Sequence, residues 1–155
     1  VSIPVEMPFT LPKGHMLSRG KGTTILSGKD AMIVTYGPTM LSEGYRAAMM
    51  LKKEGFSIGL TALPWLNTVD DGWLHRIASK TGLIIAIDDH YRKLGQSAML
   101  AQSLARKKGN PPLVSVGIED IPACGTNIEV LAHHKLDAVS LAATIRTAVR
   151  KSRKQ

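Results

Sequence analysis

Leu83-Ile84-Ile85-Ala86-Ile87-Asp88 is the stretch on which the fold class turns. It is a short strand pattern, apolar on both faces, closed by an acid. A central parallel strand needs that composition, because helices cover both of its sides. A bilayer span needs ~20 apolar residues, so this run is far too short to be one.

The neighbouring segments repeat the theme. Upstream, Ala31-Met32-Ile33-Val34-Thr35-Tyr36 is a second apolar run, closed by Gly37-Pro38. Thr39 is the expected N-cap of the helix that follows, with Glu43 in its first turn. Leu41, Tyr45, Ala48 and Met49 are expected on one helical face, and Gly55 as the residue that ends it. Residues 56–63 read as the next strand. Thr68-Val69-Asp70-Asp71 then matches a helix-start box, with Trp73, Leu74, Ile77 and Ala78 as the buried stripe and Gly82 as the stop.

Downstream, Leu94, Ala98, Ala101 and Ala105 are expected to line a helix ending at Arg106-Lys107-Lys108-Gly109. Residues 113–118 are a further strand. Thr126 and Glu129 stand at capping-box spacing, and the final helix begins at Asp137, with Leu136 and Leu141 placed for a hydrophobic staple. Strands and helices thus alternate four times, which predicts an α/β/α layered domain with a mainly parallel sheet. Residues 23–27 read as an additional short strand. The turn Ser27-Gly28-Lys29-Asp30 is too tight for a parallel crossover, so this strand need not run with the others.

The chain has 155 residues, one domain of ordinary size. Hydrophobic residues make up 44% and charged residues 21%, a globular rather than disordered balance. Residues 1–20 carry Pro4, Pro8 and Pro12 and read as an extended linker; residues 21–150 form the domain; residues 151–155 are a basic tail. The linker and the opening Val1 suggest that something precedes this domain. No signal-peptide pattern opens the chain and Cys124 is the one cysteine, so a reducing, cytoplasmic setting is expected.

Net charge is +8, with Arg146, Arg150, Lys151, Arg153 and Lys154 gathered in the last ten residues. Cations there suit the negative pole of a helix end. Aromatic residues are 5%, too few for a base-stacking surface, so no nucleic-acid partner is expected.

Open α/β sheets bind ligands at the carboxyl ends of their strands. Here those ends bring Asp88, Asp89, His90, Glu119 and Asp120 to one edge. Oxygen ligands suit magnesium, which makes the four carboxylates candidate metal ligands. Their other reading is as helix caps or solvent-facing acids. A phosphoacceptor pocket would also need a lysine after Ile118, and none stands there. His90 has the chemistry of a general base or a substrate contact. His133 and His134 are adjacent on a helix and point about 100° apart, which rules out an i,i+4 metal pair. No phosphate-binding glycine loop is present. Met32, Met40, Met49 and Met50 read as core filling.

The order of segments resembles one family. Gly28-Lys29-Asp30-Ala31-Met32-Ile33-Val34-Thr35-Tyr36-Gly37 resembles the entry into the C-terminal domain of transketolase-like enzymes. Tyr45-Arg46-Ala47-Ala48-Met49-Met50-Leu51-Lys52-Lys53-Glu54-Gly55 is similar to its first helix. Leu66-Asn67-Thr68-Val69-Asp70, Ile87-Asp88-Asp89-His90, Gly95-Gln96-Ser97-Ala98 and Val116-Gly117-Ile118-Glu119-Asp120 resemble later motifs, in order, over residues 20–149. The family includes transketolases, deoxyxylulose-phosphate synthases and beta subunits of 2-oxoacid dehydrogenases.

The resemblance implies a three-layer fold with a mixed, mostly parallel five-stranded sheet. It implies ketol transfer by a thiamine-diphosphate enzyme, as part of a larger assembly. Thiamine diphosphate and Mg would be bound by pyrimidine-binding and diphosphate-binding domains outside this segment, in a homodimer or heterotetramer, with no membrane partner. This segment would serve subunit assembly and the edge of the substrate channel. His90 is the matched residue expected nearest the active site. Three positions depart from the family pattern: Pro64-Trp65 where some relatives carry a phosphate-binding arginine, Leu94-Gly95 in place of a double glycine, and Thr68 in place of a proline. The alternatives are a 2-oxoacid dehydrogenase beta-subunit domain and a free-standing binding domain that uses the carboxylate edge.

Overall fold

In the computed structural model, which describes residues 7–154, there are five strands and five helices, and they alternate from β2 to α4. Val1, Pro4 and Gln155 lie outside the described residues. The elements are β1 (Thr23–Leu26), β2 (Ala31–Thr35), α1 (Pro38–Lys53), β3 (Ile58–Ala62), α2 (Asp71–Ala78), β4 (Ile84–Tyr91), α3 (Gln96–Ala105), β5 (Leu113–Ile118), α4 (Asn127–His133) and α5 (Ala138–Ser152). The sheet runs β1-β3-β2-β4-β5, with β1 antiparallel and the other pairings parallel. This is the mixed, mostly parallel five-stranded sheet expected.

Alternation along the central strands builds two cores. Ile33 and Ile85, paired across β2 and β4, face α1 and α5, where Leu51, Leu141 and Ile145 are buried with them. Their neighbours Met32, Val34, Ile84 and Ala86 face the other way, against Trp73, Leu74 and Ile77 of α2 and Leu100 and Leu104 of α3. Each fully buried Ile, Leu or Val side chain among these contributes roughly 1.5–3 kcal/mol.

The helix ends show which local signals prevailed. α1 closes as expected: Gly55 has φ +86°, its N–H donates to the Lys52 carbonyl, and the Phe56 N–H donates to the Leu51 carbonyl. That is the Schellman pair of bonds, and it needs a left-handed residue. At the other end, Gly37 rather than Thr39 is the cap, and no acid stands in the first turn. Pro38 occupies the first helical position, where its fixed φ and missing N–H cost nothing, and so starts the helix two residues early. Glu43 instead reaches α5, where it accepts the Ala138 N–H at 2.7 Å.

For α2 the cap is Asp70, which accepts the Trp73 N–H at 2.7 Å, and not Thr68. A carboxylate three residues before that N–H takes the bond directly. The Thr126–Glu129 capping box forms as read. Asp137 caps α5, and Leu136 and Leu141 on either side of it are both buried.

α3 departs most from expectation. Leu94, Ala98, Ala101 and Ala105 are exposed, while Gln96, Ser97, Leu100, Ser103 and Leu104 face inward. The helix is turned because a buried carboxylate on β4 holds its first N–H groups, as described below. Strand bounds also move. The strand expected over 56–63 is Ile58–Ala62, and β4 continues past Asp88 to Tyr91 through an irregularity in its pairing with β5.

The basic C-terminal stretch is helical to Ser152, and its cations are partly committed: Arg146 pairs with Glu54 and Arg153 with Asp30. Of residues 7–20, Phe9 stacks on Tyr45 at 5.2 Å and the Gly20 carbonyl accepts the Asp70 N–H. Among the described residues, no helix is long and apolar enough to cross a membrane.

Candidate functional site

The carboxyl ends of β2, β3, β4 and β5 share one edge of the sheet, and the acids singled out from the sequence are divided among different tasks there. Asp88 is fully buried. Its carboxylate accepts the Gln96 N–H at 2.7 Å and the Ser97 N–H at 3.1 Å, so it caps α3 from the strand beside it. A negative charge at a helix N-terminus is favourable, and these two bonds offset its burial. Gly95 permits the approach: a Cβ there would lie 2.7 Å from the Asp88 carboxyl carbon. Gln96 continues the network, donating through Nε2 to the Leu63 carbonyl at 2.8 Å and the Trp65 carbonyl at 2.9 Å. One buried carboxylate thereby positions α3, and through Gln96 the loop after β3.

Tyr36, at the end of β2, borders the same group. Burial and then the charges of Asp88 and Asp89 push its phenol up to about 12, because ionising it would add a third negative charge. Desolvation also pushes the Asp89 carboxyl above its ordinary range, with His90 pulling the other way. His90 itself is exposed, its ring edge-on to Tyr91 at 5.5 Å. Glu119 is held by Arg92 at 2.9 Å, and Asp120 is exposed. Asp88 is therefore a helix cap and Glu119 half of an ion pair. Among the described residues, no three His, Cys, Asp or Glu side chains come together to hold a metal ion.

His90, Tyr91, Lys93, Leu94, Ile118 and Asp120, with the Arg92–Glu119 pair, line a cavity of about 600 Å³ at this edge. The loops at this edge are unusually apolar for exposed segments. Leu94 is 95% exposed and adopts φ +66°, and Ile121 is 86% exposed. A non-glycine residue in that left-handed region costs roughly 1–2 kcal/mol. Leu66 after β3 and Tyr91 at the end of β4 add exposed apolar area on the same edge. A second groove, of about 630 Å³, runs between β5 and α5, with Val114, Thr144 and Ala148 in its lining. Lys151 is the one ionisable group there, so that groove offers little chemistry.

Tyr36, Arg92, Gly95 and Gln96 were not singled out as site residues from the sequence. The available signal was Asp88 standing eight residues before Gln96, one loop's length from a strand end to the next helix. His133 is exposed, and His134 is half-buried and accepts the Ala123 N–H. Cys124 is exposed and unpaired.

The family model described as "Transketolase, C-terminal domain" matches residues 20–141. One subunit of an apulose-4-phosphate transketolase from Phocaeicola vulgatus is 31% identical over 134 residues, which are 85% of this chain and 42% of that protein. The E1 beta component of a pyruvate dehydrogenase from Staphylococcus epidermidis is 30% identical over 93 residues, 60% of this chain and 28% of that one. Among solved structures, a split-gene transketolase described as an inactive beta4 tetramer superposes with a TM-score of 0.83 at 26% identity, covering 93% of this chain and 47% of that one. The chain therefore spans less than half the length of each of these proteins.

Proposed function

Because the chain belongs to the transketolase C-terminal domain family, we propose that it is the C-terminal part of a thiamine-diphosphate enzyme that carries out ketol transfer. Its own task in that enzyme is assembly and the wall of the substrate channel. Residues 21–150 form the working domain, residues 1–20 the connection to what precedes it, and residues 151–155 a basic end. The setting is the cytoplasm.

The observation that carries this reading is the apolar carboxyl edge. Leu66, Leu94 and Ile121 follow three of the parallel strands and are all largely exposed, and Leu94 lines the cavity of about 600 Å³. Exposed apolar patches of this kind suit protein contacts. The acids at this edge do not suit a metal-diphosphate site of their own. Asp88 is occupied by the N-terminus of α3 and Glu119 by Arg92. The diphosphate and magnesium accordingly belong to partner domains or a partner protein, and His90, exposed beside the cavity, is the residue of this chain that faces the substrate channel. The likeness to one subunit of an apulose-4-phosphate transketolase and to a pyruvate dehydrogenase E1 beta component supports a partner-dependent enzyme.

The test is to place Leu94→Glu and Ile121→Glu in the complete enzyme. Light scattering reads its assembly and a transketolase assay reads its turnover. Loss of assembly and turnover, with the far-UV spectrum unchanged, supports the reading. An intact, fully active assembly carrying both substitutions overturns it. A pyruvate-dependent acyl transfer in place of ketol transfer would instead assign the E1 beta alternative, which the second relative favours.

A further inference from the structure

We propose that His134 is a pH-sensitive latch on the loop joining β5 to α4. His134 closes α4 as its C-cap, and its Nε2 accepts the backbone N–H of Ala123 at 3.0 Å. An imidazole nitrogen that accepts a bond carries no proton, so the ring is neutral with its proton on Nδ1. Among the described residues, this is the one hydrogen bond that ties residues 120–125 to the rest of the molecule. The capping box of Thr126 and Glu129 is internal to α4, and α4 buries no side chain fully. Few other contacts therefore oppose local opening here.

Protonation at Nε2 sets one N–H donor against another and removes the bond. Imidazoles change charge between about pH 5 and 8. The groups around the ring give the protonated form somewhere to go. A cavity of about 430 Å³ beside His134 is lined by Glu119 and Asp120 from the loop after β5, Arg92 from the loop after β4, and His133 and Lys135 from its own helix end. α5 contributes Thr144, which does not titrate. The His133 ring lies edge-on at 4.8 Å, and Glu119 is already shared with Arg92. Asp120, which lines the same cavity and is in no ion pair among the described residues, is the acid available to a His134 cation. The element has two arrangements: neutral and bound to Ala123, or charged and turned toward the acids, with the loop released. Acidification shifts the population from the first to the second. The released loop carries Ile121 and Cys124. The latch stands on this geometry alone, whether or not the carboxyl edge is an assembly face.

The test is nitrogen-15 NMR on the full chain. At pH 8 the neutral ring of His134 is expected to carry its proton on Nδ1. Exchange of the Ala123 amide, corrected for the intrinsic pH dependence of exchange, is expected to lose protection by about tenfold per pH unit once the ring charges. In His134→Gln the protection of the Ala123 amide is expected to be flat with pH, at whatever level it sits. In His133→Gln the wild-type dependence should remain. A neutral ring protonated on Nε2, a wild-type Ala123 amide whose protection does not change down to pH 5, or an Ala123 amide in His134→Gln that titrates as the wild type does would each overturn the latch.

Discussion

The carboxylate of Asp88 occupies the space into which a side chain on Gly95 would project, at 2.7–2.8 Å from the ideal Cβ position. The two residues come from different elements, yet neither arrangement survives a change in the other. Replacing Gly95 with Ala forces the carboxylate off the first turn of α3. Overpacking of this kind costs roughly 1–3 kcal/mol. Denaturant unfolding of Gly95→Ala should show a loss in that range. Asp88→Ala, which leaves the Gln96 and Ser97 N–H groups buried without a partner, should cost a comparable amount. Because the two act on one contact, the double variant should lose clearly less than the sum of the singles. Strict additivity would contradict the coupling.

Tyr36 sets a ceiling at alkaline pH. Its phenol is raised to about 12 in the folded chain, against about 10 for an unperturbed tyrosine. The unfolded chain thus loses its proton first, and the stability tied to the neutral phenol is complete below pH 10 and lost as pH rises toward 12. Tyr36→Phe removes the titrating group. The stability difference between wild type and Tyr36→Phe should stay constant from pH 7 to 9.5 and shift against the wild type above pH 10. A difference that is flat through pH 11.5 would refute the shift.

The start of α2 separates two readings of the same four residues. Asp70, not Thr68, accepts the Trp73 N–H. Asp70→Ala should therefore cost about 1 kcal/mol in chemical denaturation. Thr68→Ala should fall within about 0.5 kcal/mol of wild type.

At the other end of the domain, Arg153 reaches Asp30 in the turn before β2. Burial alone would raise the Asp30 carboxyl, but the Arg153 guanidinium and the Ser57 N–H hold it below its ordinary value. The stability this supplies is present above the unfolded carboxylate value and is lost as pH falls below about 4. Arg153→Ala should destabilise by about 0.5–1 kcal/mol at pH 7. That difference should vanish in strong acid and shrink in high salt.

Most of the architecture was legible in the sequence because it rests on local pattern. The run at Ile84–Ile87, the stripe at Trp73, Leu74, Ile77 and Ala78, the stop at Gly55 and the box at Thr126 each carry their cause within a few residues. The antiparallel β1 was legible for the same reason, since a short turn leaves no room for a crossover. What escaped was decided at a distance. The facing of α3 follows from a carboxylate on β4, so an alanine stripe that looks buried is not. Glu43 stands near the start of α1 but satisfies α5. At the carboxyl edge, the sequence placed Asp88, Asp89, Glu119 and Asp120 at neighbouring strand ends but did not show which helix Asp88 caps. Nor did it show that Tyr36, remote in sequence, borders it. Such partners are visible only once the sheet order is known.

The contact from Glu43 to the Ala138 N–H joins residues 95 positions apart in the chain, and it has a consequence for synthesis. α5 leaves the ribosome after every strand of the sheet has emerged. Until then Ile33, Ile85 and Leu51 have one wall of their compartment missing. A nascent chain that stalls before Ala138 leaves uncovered the part of this face that α5 would close, with α1 alone upon it. The arrival of α5 therefore governs how long that face of a nascent chain stays exposed.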